Sequence, residues 1–204
     1  MTSLLPLLDY LGVGMFAITG ALAAARRQHD VVTFFAFAVM TGMGGGTLRD
    51  VLIGVPVFWL HASGYLWVCL AAGAIVWAVG ERPWSSRIFL WLDAGGLAAY
   101  AVLGSAKALA TGVTPLVAVI MGVLTATFGG VLRDLFAGEV SVLLRREIYV
   151  TAAAATAIVF VLLRLAQTEL WLSAGLAFAA GFVLRGGAIV RGWSLPGFDS
   201  GARR

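Results

Sequence analysis

Ionisable residues set inside long apolar runs are the feature of this 204-residue chain most able to do chemistry. Arg49 and Asp50 interrupt one run and Arg133 and Asp134 another, while Asp9 and Asp93 stand alone near the starts of two more. Charge inside a membrane is costly unless it is paired or hydrated, so such residues either mark a path or site for a charged solute or only clamp the helices together. Glycines precede both Arg-Asp pairs: Gly44, Gly45 and Gly46 in one run, Gly129 and Gly130 in the other. Thr41 and Thr125 sit about one helical turn before them, where a hydroxyl either back-bonds to the helix or faces a path. No nucleophile–base set, phosphate-binding loop or cofactor motif is present, so neither an enzyme nor a resident cofactor is expected.

The elements that hold these residues are hydrophobic. Hydrophobic residues make up 61% of the chain and charged residues 12%, about half the charge of an average soluble domain. A mean hydropathy of +0.97 leaves too little polar surface for a soluble globule. The pI of 9.8 comes from basic residues scattered between apolar runs, which mark membrane topology rather than a nucleic-acid partner. The single cysteine, Cys69, rules out an intrachain disulfide.

A helix needs about 20 mostly apolar residues to cross the hydrocarbon core. Seven stretches qualify: 4–25, 31–48 continuing past Arg49 and Asp50 to 60, 62–80, 88–106, 108–134, 148–163 and 170–190. Seven spans put Arg26, Arg27, Arg82, Arg87, Arg145, Arg146, Arg191, Arg203 and Arg204 on one side, against Lys107 and Arg164 on the other. That bias predicts a multi-pass protein of the inner (plasma) membrane with its N-terminus outside and its C-terminus in the cytoplasm. Trp84, Trp91 and Trp193 then fall near inner ends and Trp59 and Trp171 near outer ends, as an aromatic belt requires. In this frame Arg185 reads as a snorkelling residue, Lys107 as an interfacial one, and Glu139 and Glu147 as balancing Arg145 and Arg146.

Shifted by 84 residues, the chain matches itself without a gap: Gly45-Gly46-Thr47-Leu48-Arg49-Asp50 lies over Gly129-Gly130-Val131-Leu132-Arg133-Asp134. Leu8-Asp9 lies over Leu92-Asp93, Gly12 over Gly96, Gly20 over Gly104, Gly54 over Gly138 and Tyr65 over Tyr149. Each copy holds three spans, so the second must cross the membrane upside down, the inverted-repeat plan of many transporters and some channels. The predicted organisation is one all-α membrane domain over 1–204. It comprises a first three-helix repeat at 4–80, a second, inverted one at 88–165, and a seventh helix at 169–190.

The glycines allow two readings. Consecutive glycines weaken a helix, and a mid-membrane break in both copies would open a polar path between them. Alternatively they only let helices pack closely. The acidic residues of the first and fourth spans are expected to pair with the arginines of the second and fifth, as Asp9–Arg49 and Asp93–Arg133.

The doubled Gly-Gly-x-Leu-Arg-Asp string, in two three-span repeats followed by a seventh span, resembles prokaryotic members of the trimeric intracellular cation channel family. The resemblance covers the chain from about residue 4 to 190. It implies a homotrimer among membrane lipids, with one pore per protomer passing monovalent cations, chiefly potassium, beside helix kinks at Gly44–Gly46 and Gly129–Gly130. Phe128 stands where the first copy has a glycine, which implies a weaker second kink. The same bacterial repeat is associated with transport of small amino acids such as glycine, and broken inverted repeats suit a carrier as well as a channel.

Overall fold

A computed structural model describes the backbone of residues 4–196 and the side chains of residues 7–196. Arg203 and Arg204, used above for topology, lie outside the described residues. Eight α-helices form the described part: α1 (Leu4–Arg26), α2 (Val31–Leu52), α3 (Phe58–His61), α4 (Gly64–Val79), α5 (Ser86–Ala110), α6 (Pro115–Phe136), α7 (Val150–Leu165) and α8 (Leu170–Arg191). No strand is present among the described residues; one isolated bridge joins Glu147 to Ser194.

Local chemistry sets the ends. The Asp30 carboxylate accepts from the Thr33 amide at 2.8 Å and starts α2, and Glu169 accepts from the Leu172 amide at 2.9 Å and starts α8. Pro115 opens α6, where its missing N–H costs nothing. Gly54 (φ 70°) and Gly138 (φ 65°) turn the chain just after α2 and α6, in a region that disfavours a Cβ.

Five helices (α1, α2, α5, α6 and α8) are long and apolar enough to cross a membrane. Helices α4 and α7 have 16 residues each, about 24 Å at 1.5 Å per residue, short of a hydrocarbon core about 30 Å thick. The second span does not run on to residue 60: α2 stops at Leu52, and α3 is a separate turn. The boundary between the fourth and fifth spans also lies later than expected, in the turn at Thr111–Thr114, where Gly112 has φ 81°.

At the centre, α2 lies against α6 and α1 against α5. Helix α4 flanks α1 and α2, α7 flanks α5 and α6, and α8 packs outside on α5 and α7. The contacts recur at the 84-residue offset. A Cβ on Gly12 would meet the Tyr100 ring at 3.4 Å and one on Gly96 the Phe16 ring at 3.2 Å, and the two rings stack with centroids 5.5 Å apart.

The Asp30 cap carries a pH prediction. Donation from the Thr33 amide and hydroxyl holds this exposed carboxyl below its usual 3.8. A depressed value means the cap is complete above pH 3.8 and is lost as pH falls through the lower folded value. The hydrogen-exchange protection factor of the Thr33 amide is expected to drop over that acid range, and Asp30→Asn to remove the dependence. Unchanged protection in the native chain would refute the cap's role.

Candidate functional site

The glycine clusters bring two backbones together. A Cβ on Gly45 would overlap the Thr125 carbonyl oxygen, and one on Gly129 would overlap the Thr41 carbonyl oxygen. Because Gly45 faces Thr125 while Thr41 faces Gly129, α2 and α6 cross antiparallel at van der Waals distance between main chains. Gly20 and Gly104 lie against the side chains of Thr41 and Thr125. Gly44 makes room for Leu132, Gly46 for Phe58 and Gly130 for Tyr149. Both helices nevertheless run unbroken, α2 through Gly44–Gly46 and α6 through Gly129–Gly130. This continuity fits the close-packing alternative. The helix-propensity cost, about 1 kcal/mol per glycine, is offset by packing that only glycine permits. Thr125 back-bonds to the Met121 carbonyl at 2.6 Å, whereas the buried Thr41 hydroxyl has no partner.

Charged clusters occupy the two opposite ends of this crossing. At the Arg49 end, buried Arg49 donates through Nε to Asp50 Oδ1 at 2.8 Å. Lys107 reaches over from α5 and places Nζ 2.8 Å from both Asp50 oxygens. The Phe58 amide donates to Asp50 Oδ2 at 3.0 Å. Asp9 does not pair with Arg49 as expected. It accepts instead from the Tyr65 hydroxyl at 2.9 Å, because Arg49 is held by its immediate neighbour. Asp9, Arg49, Phe58, Tyr65 and Lys107 line a cavity of about 720 Å³ that extends to Arg164 and Gln167.

At the Arg133 end the expected pair forms. Arg133 Nη1 contacts Asp93 Oδ1 at 2.5 Å, while Nε and Nη2 hold Asp134 at 3.0 and 2.9 Å. The Val142 amide donates to Asp134 Oδ2 at 2.8 Å, the counterpart of Phe58 on Asp50. Two guanidiniums lie over the Phe89 ring, Arg26 at 4.5 Å and Arg133 at 4.8 Å from its centroid. The cavity here is about 140 Å³, lined by Arg26, Phe89, Arg133, Asp134, Glu139 and Arg145.

Two roles differ from their sequence reading, and two further residues gain partners. Lys107 is no interfacial lysine but the third member of the Asp50 cluster. Arg185 does not snorkel: it is 3% exposed, bound to Glu147 at 2.8 Å and to the Ile148 carbonyl at 3.2 Å. Glu147 therefore serves Arg185 first, and Arg145 lies near both Glu139 (3.5 Å) and Glu147 (3.9 Å). Trp59 is half-buried and donates to the Thr47 hydroxyl at 2.9 Å. These partners are 57, 38 and 12 residues apart, and only the mid-span position of Arg185 hinted at one of them.

Comparison with known proteins places this geometry. A family model described as Glycine transporter matches twice, over residues 6–81 and 90–164. A UPF0126 membrane protein of Vibrio cholerae is 41% identical over 156 residues, which cover 74% of this chain and 64% of the relative, so the chain spans under two thirds of that protein's length. The UPF0126 inner membrane protein YadS of Escherichia coli K12 is 38% identical over 150 residues, 71% of this chain and 72% of YadS. The trimeric intracellular cation channel orthologue from Rhodobacter sphaeroides superposes with a TM-score of 0.90 at 44% identity, covering 94% of this chain and 100% of that one. By sequence and by fold, the chain belongs to the membrane-protein family whose model is described as Glycine transporter, with the UPF0126 proteins and the prokaryotic trimeric intracellular cation channels as its relatives.

Proposed function

We propose that the protein is a monovalent cation channel, chiefly for potassium, with one path per protomer between the two cavities beside α2 and α6. The observation that carries this reading is the arrangement itself: buried charge clusters at opposite ends of an antiparallel glycine crossing, each beneath a cavity. The likeness to the Rhodobacter channel orthologue supports both cation conduction and a homotrimer. In this reading seven spans (α1, α2, α4, α5, α6, α7 and α8) form two inverted repeats, 4–80 and 88–165, with 169–190 outside them; the short α4 and α7 cross by local thinning of the bilayer. The double match of one family model and the recurrence of contacts at offset 84 support this plan. The chain sits in the inner membrane with its N-terminus outside, so that the Arg49 cluster faces out and the Arg133 cluster faces in.

Conduction then requires α2 and α6 to part or bend at the crossing. The unbroken helices represent a closed form, and bending at Gly44–Gly46 or Gly129–Gly130 exposes carbonyl oxygens suited to a partly dehydrated monovalent ion. The free Thr41 hydroxyl adds another such oxygen.

A second reading, a carrier of a small amino acid such as glycine, is favoured by the description of the matching family model. Planar-bilayer recording of the purified protein under a potassium gradient separates the two. Unitary currents reversing near the potassium equilibrium potential are expected. Electrically silent glycine counterflow in liposomes, without such currents, would replace the channel by the carrier.

A further inference from the structure

The same three residues occur twice in two different hydrogen-bond arrangements. At offset 84, Asp9, Arg49 and Tyr65 correspond to Asp93, Arg133 and Tyr149. In the first set the carboxylate takes the tyrosine: Tyr65 donates to Asp9 at 2.9 Å. In the second it takes the arginine: Asp93 lies 2.5 Å from Arg133, and the fully buried Tyr149 hydroxyl has no partner among the described residues. The surroundings match. Asp50 and Asp134 each hold the arginine beside them and accept from a backbone amide eight residues on. The cavities differ in step with the arrangements, about 720 Å³ where the tyrosine is bonded and about 140 Å³ where the arginine is.

We propose that Asp9 and Asp93 are two-position switches that exchange between tyrosine and arginine, and that the tyrosine-bonded position opens the cavity at that end. The structure holds the Asp9 end open and the Asp93 end shut. At the Asp93 end the tyrosine and the arginine flank one glycine. The Tyr149 hydroxyl and Arg133 Nη2 lie 2.7 and 3.7 Å from one point, the Cβ position of Gly130, so the two partners are neighbours. Moving Asp93 leaves Arg133 Nη1 with the Thr19 hydroxyl at 3.4 Å, while Nε and Nη2 keep Asp134, as Arg49 keeps Asp50, and the Tyr149 hydroxyl gains an acceptor. This switch rests on the proposed reading of the two halves as opposed ends of one path.

The competing account is a fixed difference between the halves, set by Lys107, whose offset counterpart is Ala23. Tyr149→Phe separates the two, because removing a hydroxyl that has no partner changes nothing in a fixed structure. With the lone native cysteine replaced (Cys69→Ser), single cysteines at Leu90 and Leu109 report on the small and large cavities through their rate of modification by a charged methanethiosulfonate. Tyr149→Phe is expected to slow modification at Leu90→Cys at least about fivefold and leave Leu109→Cys within about twofold. Tyr65→Phe is expected to do the reverse. Asp93→Asn, which weakens the arginine position, is expected to speed modification at Leu90→Cys. Rates within about twofold for both tyrosine variants would overturn the switch. Modification of both cysteines from the same side of the membrane would instead refute the opposed halves, and the switch with them.

Discussion

Gly45→Ala and Gly129→Ala are each expected to destabilise the folded chain by about 1–3 kcal/mol, the usual cost of forcing extra volume into a packed interior. Glycine to alanine in a helix ordinarily helps, by about 1 kcal/mol of propensity. The close crossing reverses that sign here. The new methyl would meet a backbone carbonyl, Thr125 at one site and Thr41 at the other, and a main chain cannot rotate aside as a flexible side chain can. Either the two helices move apart or the chain does not fold. Gly175→Ala is the control: it lies within α8 with no neighbouring heavy atom within 4 Å of the added Cβ, so it is expected to be neutral or stabilising by up to about 1 kcal/mol. Equilibrium unfolding in mixed micelles measures all three. Equal stability of Gly45→Ala and Gly175→Ala would mean that the close crossing is not a feature of the folded protein.

The two arginines are expected to differ although their motifs are identical. Arg133→Ala leaves Asp93 and Asp134, both less than 5% exposed, without a cation, and removing one member of such a buried cluster costs about 3–5 kcal/mol. Arg49→Ala costs less, about 1.5–3 kcal/mol, because Asp50 keeps Lys107 and the Phe58 amide, and Asp9 keeps Tyr65. The Lys107→Met, Arg49→Ala double variant removes that reserve and is expected to fall to the level of Arg133→Ala. The yield of monodisperse protein and its unfolding midpoint report the order. Arg49→Ala as damaging as Arg133→Ala would show that Lys107 does not support Asp50.

The features legible in the sequence were those encoded by runs and offsets. Apolar stretches marked the five helices long and apolar enough to cross a membrane, and the 84-residue offset aligned two halves whose contacts recur down to the amides of Phe58 and Val142. The Asp93–Arg133 pair followed from matching depth in neighbouring spans. The Asp9–Arg49 pair did not form, because depth alone cannot rank competitors: Asp50 is adjacent to Arg49, and Tyr65 reaches Asp9 from α4. The glycine strings signalled a special backbone correctly. Whether that meant a break or a close crossing depended on what lay opposite, and the opposite residue is 80 positions away, as Gly45 to Thr125. The loop after α5 was placed too early because Lys107, a charge in an apolar stretch, served as the boundary, although Gly112 and Pro115 carried the turn signal.

The most direct test of a separate path in each protomer is single-channel recording during chemical modification. In a Cys69→Ser background, Ala106→Cys puts one thiol in the large cavity of every protomer. A cationic methanethiosulfonate then adds bulk and charge where ions are proposed to pass. The expected result is that the current of a single assembly falls in three equal steps, one per protomer. A fall to zero in one step, or a current that modification leaves unchanged, would contradict a path through that cavity.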